Sequence, residues 1–251
     1  MVRTLLVRGM LVGIVAGLLS FGFLKVYGEP QVDRAIAFEE QMDEAKAEMA
    51  KQHGMAAPEE QPELVSRPVQ AGLGLFVAVM VYSAAFGGLF GLAFAFAQGR
   101  MPGDLSPQAL SVLLALLGIV VVYIVPNLKY PANPPSVGNP DTIGVRTALY
   151  FGMIGISLVA IVGAISFRRL LVSRYGEWNG TLLVGTYYLV IVIAAGLLLP
   201  AVNEVPEEFP AVVLWKFRIA SLGAQLILWA TLGLLFGALT QRAMAGRSLR
   251  T

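Results

Sequence analysis

Residues 125–146 read VPNLKYPANPPSVGNPDTIGVR and lie between two hydrophobic runs. Five of the chain's fourteen prolines fall in this stretch. An interior proline removes a backbone donor and clashes with the preceding turn, so this density predicts irregular backbone rather than regular helix. Beside a bilayer, irregular backbone must be satisfied by water or by other protein. The stretch therefore reads as a built cap joining two membrane spans.

Working outward, six apolar runs approach the ~20 residues needed to cross a bilayer. They occupy residues 9–27, 69–97, 106–125, 147–167, 181–199 and 219–240. The 251-residue chain is 57% hydrophobic and 14% charged, whereas soluble domains carry about 25% charged residues. These features predict an all-α integral membrane protein forming a single membrane domain over residues 1–251. Its six transmembrane helices are expected as three helical hairpins with Pro-rich extracytoplasmic loops. Ser106-Pro107 reads as a cap followed by proline at the first helical position of the third span. The first run is long and no A-x-A site stands directly after it, so it is read as a retained span rather than a cleaved signal.

The three outer connections share a plan. Gly28-Glu29-Pro30, Pro126-Asn127 and Pro200-Ala201-Val202-Asn203-Glu204 follow the first helix of each pair. Each second helix starts behind an arginine: Arg67, Arg146 or Arg218. The expectation is therefore three parallel hairpin repeats, each with its first helix ended at a proline. Arginine at a helix N-terminus opposes the helix dipole. Pairing with a carboxylate relieves that cost, and Glu63, Asp141, Glu204, Glu207 and Glu208 lie nearby, with Glu29 and Asp33 across the fold. Arg67, Arg146 and Arg218 are accordingly expected in structural ion pairs; the plainer alternative is snorkelling toward lipid headgroups.

Orientation rests on the density of Lys and Arg in short segments. Arg3, Arg8, Arg100, Arg168, Arg169, Arg174, Arg242, Arg247 and Arg250 fall on one side, opposed only by Asp104 and Glu177. That side is read as cytoplasmic and contains both termini. The acidic helical loop 28–68, the Pro-rich loop 126–146 and the loop 200–218 are then extracytoplasmic. The expected location is the cytoplasmic (inner) membrane of a prokaryote, as a multi-pass protein.

Small residues mark helix contacts. Gly9, Gly13 and Gly17 form a doubled GxxxG, and Gly87/Gly91 and Gly233/Gly237 form single ones; this spacing lets helix backbones approach closely. Gln70, Tyr82, Ser83 and Gln225 are polar residues within spans and are expected to bond between helices. No ionisable residue lies deep in a span, and Lys25 is near enough to an end to snorkel. Trp178 and Trp215 fall at opposite interfaces, and Trp229 is expected in packing.

Residues 31–52 read as a helix outside the membrane. Ala35, Phe38, Met42, Ala45 and Met49 recur at helical spacing to give an apolar stripe, and six acids cover much of the rest. Met42, Met49, Met55 and the single His53 suggest a metal site, but a lone imidazole with carboxylates binds divalent ions without discrimination. The chain has no cysteine, which excludes disulfides and thiolate metal sites. It has no G-x-x-x-x-G-K-[ST] and no H-E-x-x-H, so it lacks a P-loop and a zincin site. It is read as a non-enzyme with no nucleic-acid partner.

GEPQVDRAIAFEEQ (28–41), VSRPVQAGLGLF (65–76), PNLKYPANPPSVGNPDTIGVRTALYFG (126–152) and LPAVNEVPEEFPAVVLWKFRIASL (199–222) resemble the CbtA family of cobalt transporter subunits. YPANPP is the most specific part. The resemblance covers nearly the whole chain and implies a probable cobalt transporter membrane subunit, linked to cobalamin. It implies Co²⁺ as the transported ion, with no covalently bound cofactor. It also implies a small one-span partner protein with a histidine-rich end. Family descriptions often give five spans, where six fit this chain. Family members often carry histidines in the first outer loop; here only His53 stands there, so the partner is expected to supply nitrogen ligands. Oxygen donors at the outer mouth and the sole imidazole are the candidate metal residues: Glu29, Asp33, His53, Asn127, Asp141, Asn203 and Glu204. The competing reading is a non-catalytic structural or accessory subunit of a larger membrane complex.

Overall fold

The structure is a computed structural model that describes residues 2–53, 65–100, 105–135 and 137–248. These residues form helices and connecting segments and no strand. Helix α1 (Val2–Phe23) passes through a π-helical turn, Leu24–Gly28, into α2 (Glu29–Gln52). Helix α3 (Arg67–Val69) passes through Gln70–Gly74 into α4 (Leu75–Ala97). Helix α5 (Pro107–Gly118) continues through Ile119–Ile124 into α6 (Val125–Lys129). Helix α7 runs Ile143–Leu198, and α8 (Ala211–Thr231) continues through Leu232–Phe236 into α9 (Gly237–Ser248).

Five of these continuous helical stretches are long and apolar enough to cross a membrane: Val2–Gln52, Arg67–Ala97, Pro107–Lys129, Pro140–Leu198 and Ala211–Ala245. The apolar runs 147–167 and 181–199 share α7, which is why there are five helices where the sequence has six runs. A straight helix of 56 residues would be roughly 84 Å long, far beyond the ~30 Å of a bilayer core. Helix α7 is not straight. Gly176 has φ 80° and ψ 168°, a conformation glycine reaches without Cβ strain. Past it the chain folds back: Ser157 Oγ and Tyr188 OH lie 2.8 Å apart, where an unbroken helix would separate them by about 46 Å. Phe167 meets Tyr187 edge-on at 5.5 Å. A Cβ on Gly180 would strike the Val172 backbone, so the arms touch closely beside the turn.

The expected helix stops at Pro30 and Pro126 do not occur. Helix continues through both prolines, and only the third connection ends as read, with α7 finishing at Leu198 before Pro200. The residue before each of the first two prolines uses a π-type bond: Glu29 N–H donates to Leu24 O and Val125 N–H to Val120 O. Such an i→i+5 turn changes the carbonyl register ahead of the ring, so the α-helical clash that would end the helix is avoided. Among the described residues, irregular backbone in the Pro-rich stretch is therefore confined to 130–135 and 137–139, because α6, the 3-10 turn Pro140–Thr142 and the start of α7 take up the rest.

Contacts gather the chain into two units. The first comprises Met1–Leu116, Asn133–Val137 and Pro206–Thr251. Its α1 and α4 meet backbone to backbone, since a Cβ on Gly9 or Gly13 would overlap the Gly87 or Ser83 carbonyl. Gly233 and Gly237 lie against Ala115 and Ser111 of α5. Trp229 is buried beside Phe86 and Phe90, and Phe236 takes both Phe90 and Phe94 edge-on. Gln225 donates to Tyr82 OH at 3.3 Å. Ser106 Oγ accepts from Ala109 N–H at 3.1 Å and caps α5. The second unit comprises Leu117–Ala132 and Gly138–Val205. Its core packs Val121, Met153, Ala160, Ala164, Tyr188 and Val192.

The apolar stripe of α2 is used only near its start. Ala35 is buried, and Phe38 stacks edge-on with Phe209 at 5.2 Å. Ala45 and Met49 are exposed. Lys25 reaches Ala71 O at 2.9 Å. The π-turn explains the acceptor, because Leu75 N–H reaches back to Gln70 O and passes over Ala71.

Candidate functional site

The polar chemistry gathers where the irregular segments meet the ends of helices. In the first unit, Glu29 and Asp33 are four residues apart on α2 and so share one face. Arg67, at the start of α3, spans both. Its Nη2 donates to Glu29 Oε2 at 2.5 Å and to Asp33 Oδ1 at 2.7 Å, and its Nε donates to the same Asp33 oxygen at 3.0 Å. The Glu29 side chain is 11% exposed and that of Asp33 62%, so the buried part of the cluster is the Arg67–Glu29 contact. Pro68 follows directly, and its fixed φ suits the first helical turn.

In the second unit, the carboxylate of Glu204 ties the segment before α7 to the segment after it. Thr142 Oγ1 lies 2.6 Å from Oε1, and Asn139 N–H donates to Oε2 at 2.8 Å. Arg146 Nε stands 3.4 Å from Oε2, an ion pair without hydrogen-bond geometry. Arg146 Nη2 instead donates to Asn139 O at 3.2 Å. Thr142 also lies 2.8 Å from that carbonyl. A hydroxyl has one proton to give, and an ionised acceptor is the stronger claim on it. Gly138, at φ 111°, leaves the room this requires: a Cβ there would sit 2.9 Å from Glu204 Oε2 and closer still to Arg146. Asn139 Oδ1 accepts from Asp141 N–H at 2.9 Å and sets the turn into α7. A shallow cleft of about 320 Å³ opens beside this latch, lined by Thr142, Val145, Arg146, Ala201, Val202, Asn203 and Glu204.

The Thr142 hydroxyl, then the Asn139 amide and the Arg146 charge hold the Glu204 carboxyl below its ordinary value of 4.5. A depressed folded pKa means the latch contributes its full stability above that value and loses it as pH falls through the lower, folded one. Protection of the Asn139 amide against hydrogen exchange should therefore drop below about pH 4.5. In Glu204→Gln it should be lower at neutral pH and show no such step. An unaltered step in the variant would assign it to another group.

The remaining candidates are scattered. Arg218 Nη2 donates to Asn133 Oδ1 at 2.9 Å within the first unit. Tyr130 OH donates to Pro200 O at 2.9 Å within the second. The YPAN sequence thus supplies two clamps. His53 closes α2 with its Nδ1 2.8 Å from Met49 O, and is exposed. Asn127 lies in α6, half-buried; Asp141 and Asn203 are exposed. Met55, Glu63, Asp104 and Arg250 lie outside the described residues. Among the described residues no three His, Asp or Glu side chains come together to hold a metal ion. Asn133, Gly138, Asn139 and Thr142 were not singled out from the sequence. The available signal was the repeated Asn-Pro, which favours turn initiation.

The chain matches the family model described as probable cobalt transporter subunit (CbtA) over residues 2–241. It belongs to the CbtA family. No curated protein and no solved structure matches it. The CbtA match includes both arginine-carboxylate caps, since Glu29, Asp33, Arg67, Arg146 and Glu204 all fall within it. CbtA membership agrees with the long apolar helices in describing a membrane-embedded transporter subunit. Being one subunit implies other chains, and the family description makes cobalt the cargo.

Proposed function

We propose that this protein is the membrane-embedded subunit of a cobalt transport system, with the loops 28–68, 126–146 and 200–218 outside the cell. The observation that carries the reading is the family match across 2–241 together with the apolar helices. Both arms of α7 cross the bilayer, making six spans in three hairpins with both termini in the cytoplasm. Co²⁺, as cargo, reaches the outer face either directly or from a one-span, histidine-rich partner. The acidic surface of α2 raises the local cation concentration. Glu29, Asp33 and Glu204 then offer carboxylates, His53 the imidazole, and Asn127, Asp141 and Asn203 further oxygens.

Glu29, Asp33 and Glu204 already face guanidinium groups. A divalent cation competes with those arginines for the same lone pairs. Its entry exchanges an Arg–carboxylate contact for a metal–carboxylate one and loosens the cap. Proteoliposomes containing the purified chain should accumulate radioactive cobalt, alone or with the partner added. Uptake should fall in Glu29→Gln and Glu204→Gln at unchanged protein level; equal uptake would remove those residues from the path. The accessory-subunit reading draws on the scattered donors among the described residues. It predicts no uptake in either arm of the experiment.

A further inference from the structure

We infer that the turn of α7 around Gly176 is a docking surface for the headgroups of anionic phospholipids. Three arginines surround this end of the helix: Arg168, Arg169 and Arg174. Arg168 is committed, its Nη2 donating to Glu177 across the turn at 2.7 Å. Arg169 and Arg174 are exposed, and among the described residues neither has a carboxylate within salt-bridge distance. The Arg174 guanidinium stands 5.7 Å from the exposed ring of Tyr175.

Residues 168, 169 and 174 are separated by about 100° and 500° of helical rotation, so they form a collar rather than a one-sided patch. A protein partner approaches from one direction, whereas lipid surrounds a helix. The adjoining surface also fits lipid. Phe167, Leu170 and Trp178 are exposed beside the arginines, Trp178 to 76%. Phe167 and Leu170 continue into the exposed Val159, Val162 and Ile165 of the same arm. Aromatic rings beside cations at the end of an apolar helix are the arrangement of a membrane–water interface. Basic residues there attract anionic lipid. The Gly180–Val172 backbone approach holds the two arms together at the turn, so the collar is presented on a braced support.

This inference rests on the reading that both arms of α7 cross the bilayer. The chain contains no cysteine, so Ser173→Cys gives a single labelling site for a membrane-impermeant maleimide. Labelling from one side places the turn in water; protection from both sides overturns the crossing and the docking surface together. Lipid binding is read separately, by native mass spectrometry of protein from nanodiscs of phosphatidylcholine with and without phosphatidylglycerol. Phosphatidylglycerol should be retained in preference, and each of Arg169→Gln and Arg174→Gln should weaken retention about fivefold. Glu177→Gln, which releases Arg168, should strengthen it. Equal retention in the arginine variants, no preference over phosphatidylcholine, or displacement by soluble glycerol phosphate would each overturn the lipid surface while leaving the crossing intact.

Discussion

Gly87→Leu is expected to separate α1 from α4 and leave the protein unable to reach its native fold. A Cβ on Gly87 would overlap the carbonyl of Gly9, and a Cβ on Gly9 would overlap that of Gly87. Gly91 meets the Leu5 carbonyl in the same way, one turn further along. The two helices are therefore held at backbone contact over several turns, with no flexible side chain to give way. Ordinary overpacking of a core costs about 1–3 kcal/mol because neighbours repack. Here the obstruction is main chain, and relief requires moving a whole helix away. The loss should exceed that range and appear as aggregation or a collapsed thermal transition in detergent. Gly22 supplies the control within α1: nothing lies within 4 Å of its added Cβ. Gly22→Ala should be neutral or gain up to roughly 1 kcal/mol from helix propensity. If Gly87→Leu unfolds no more readily than Gly22→Ala, the close α1–α4 contact is wrong.

That contact was legible in the sequence because GxxxG needs only helical periodicity to be read. The doubled Gly9/Gly13/Gly17 pattern and the Gly87/Gly91 pattern do meet, as small faces should. The passage through Pro30 and Pro126 was not legible. A proline stops a helix held in α register, and nothing in the side chains announces that the preceding turn has shifted to i→i+5 bonding. The reversal in α7 was legible as the polar break between the apolar runs 147–167 and 181–199, but its form was not: residues 168–180 are polar enough to read as a loop, yet only Gly176 departs from helical geometry within them. In the caps, acids and arginines could be anticipated as a class because desolvated charges seek partners. Their assignment could not. Whether Glu204 meets Thr142, Asn139 and Arg146 depends on the backbone at Gly138 turning through positive φ, which is a tertiary fact.

Arg67→Ala is the test that separates a structural cap from a cation entry. In the protein as it stands, Arg67 takes the lone pairs of both Glu29 and Asp33. Removing it leaves Glu29, with a side chain 11% exposed, desolvated and without its charge-assisted bond; the cost should be about 2 kcal/mol. Asp33 is 62% exposed, where a lost pair is worth about 0–1 kcal/mol. A double-mutant cycle should therefore give a larger coupling for Arg67 with Glu29 than with Asp33. Equal couplings would mean that burial does not set the strength of this cluster. The same substitution also frees two carboxylates four residues apart on one face of α2. If these carboxylates receive the cargo, Co²⁺ should raise the thermal transition of Arg67→Ala more than that of the wild type, by mass action on the folded state. The added Glu29→Gln change should remove the difference. A variant that is destabilised yet indifferent to Co²⁺ would leave Arg67 as a lock on the outer face alone and move cation entry elsewhere in the molecule.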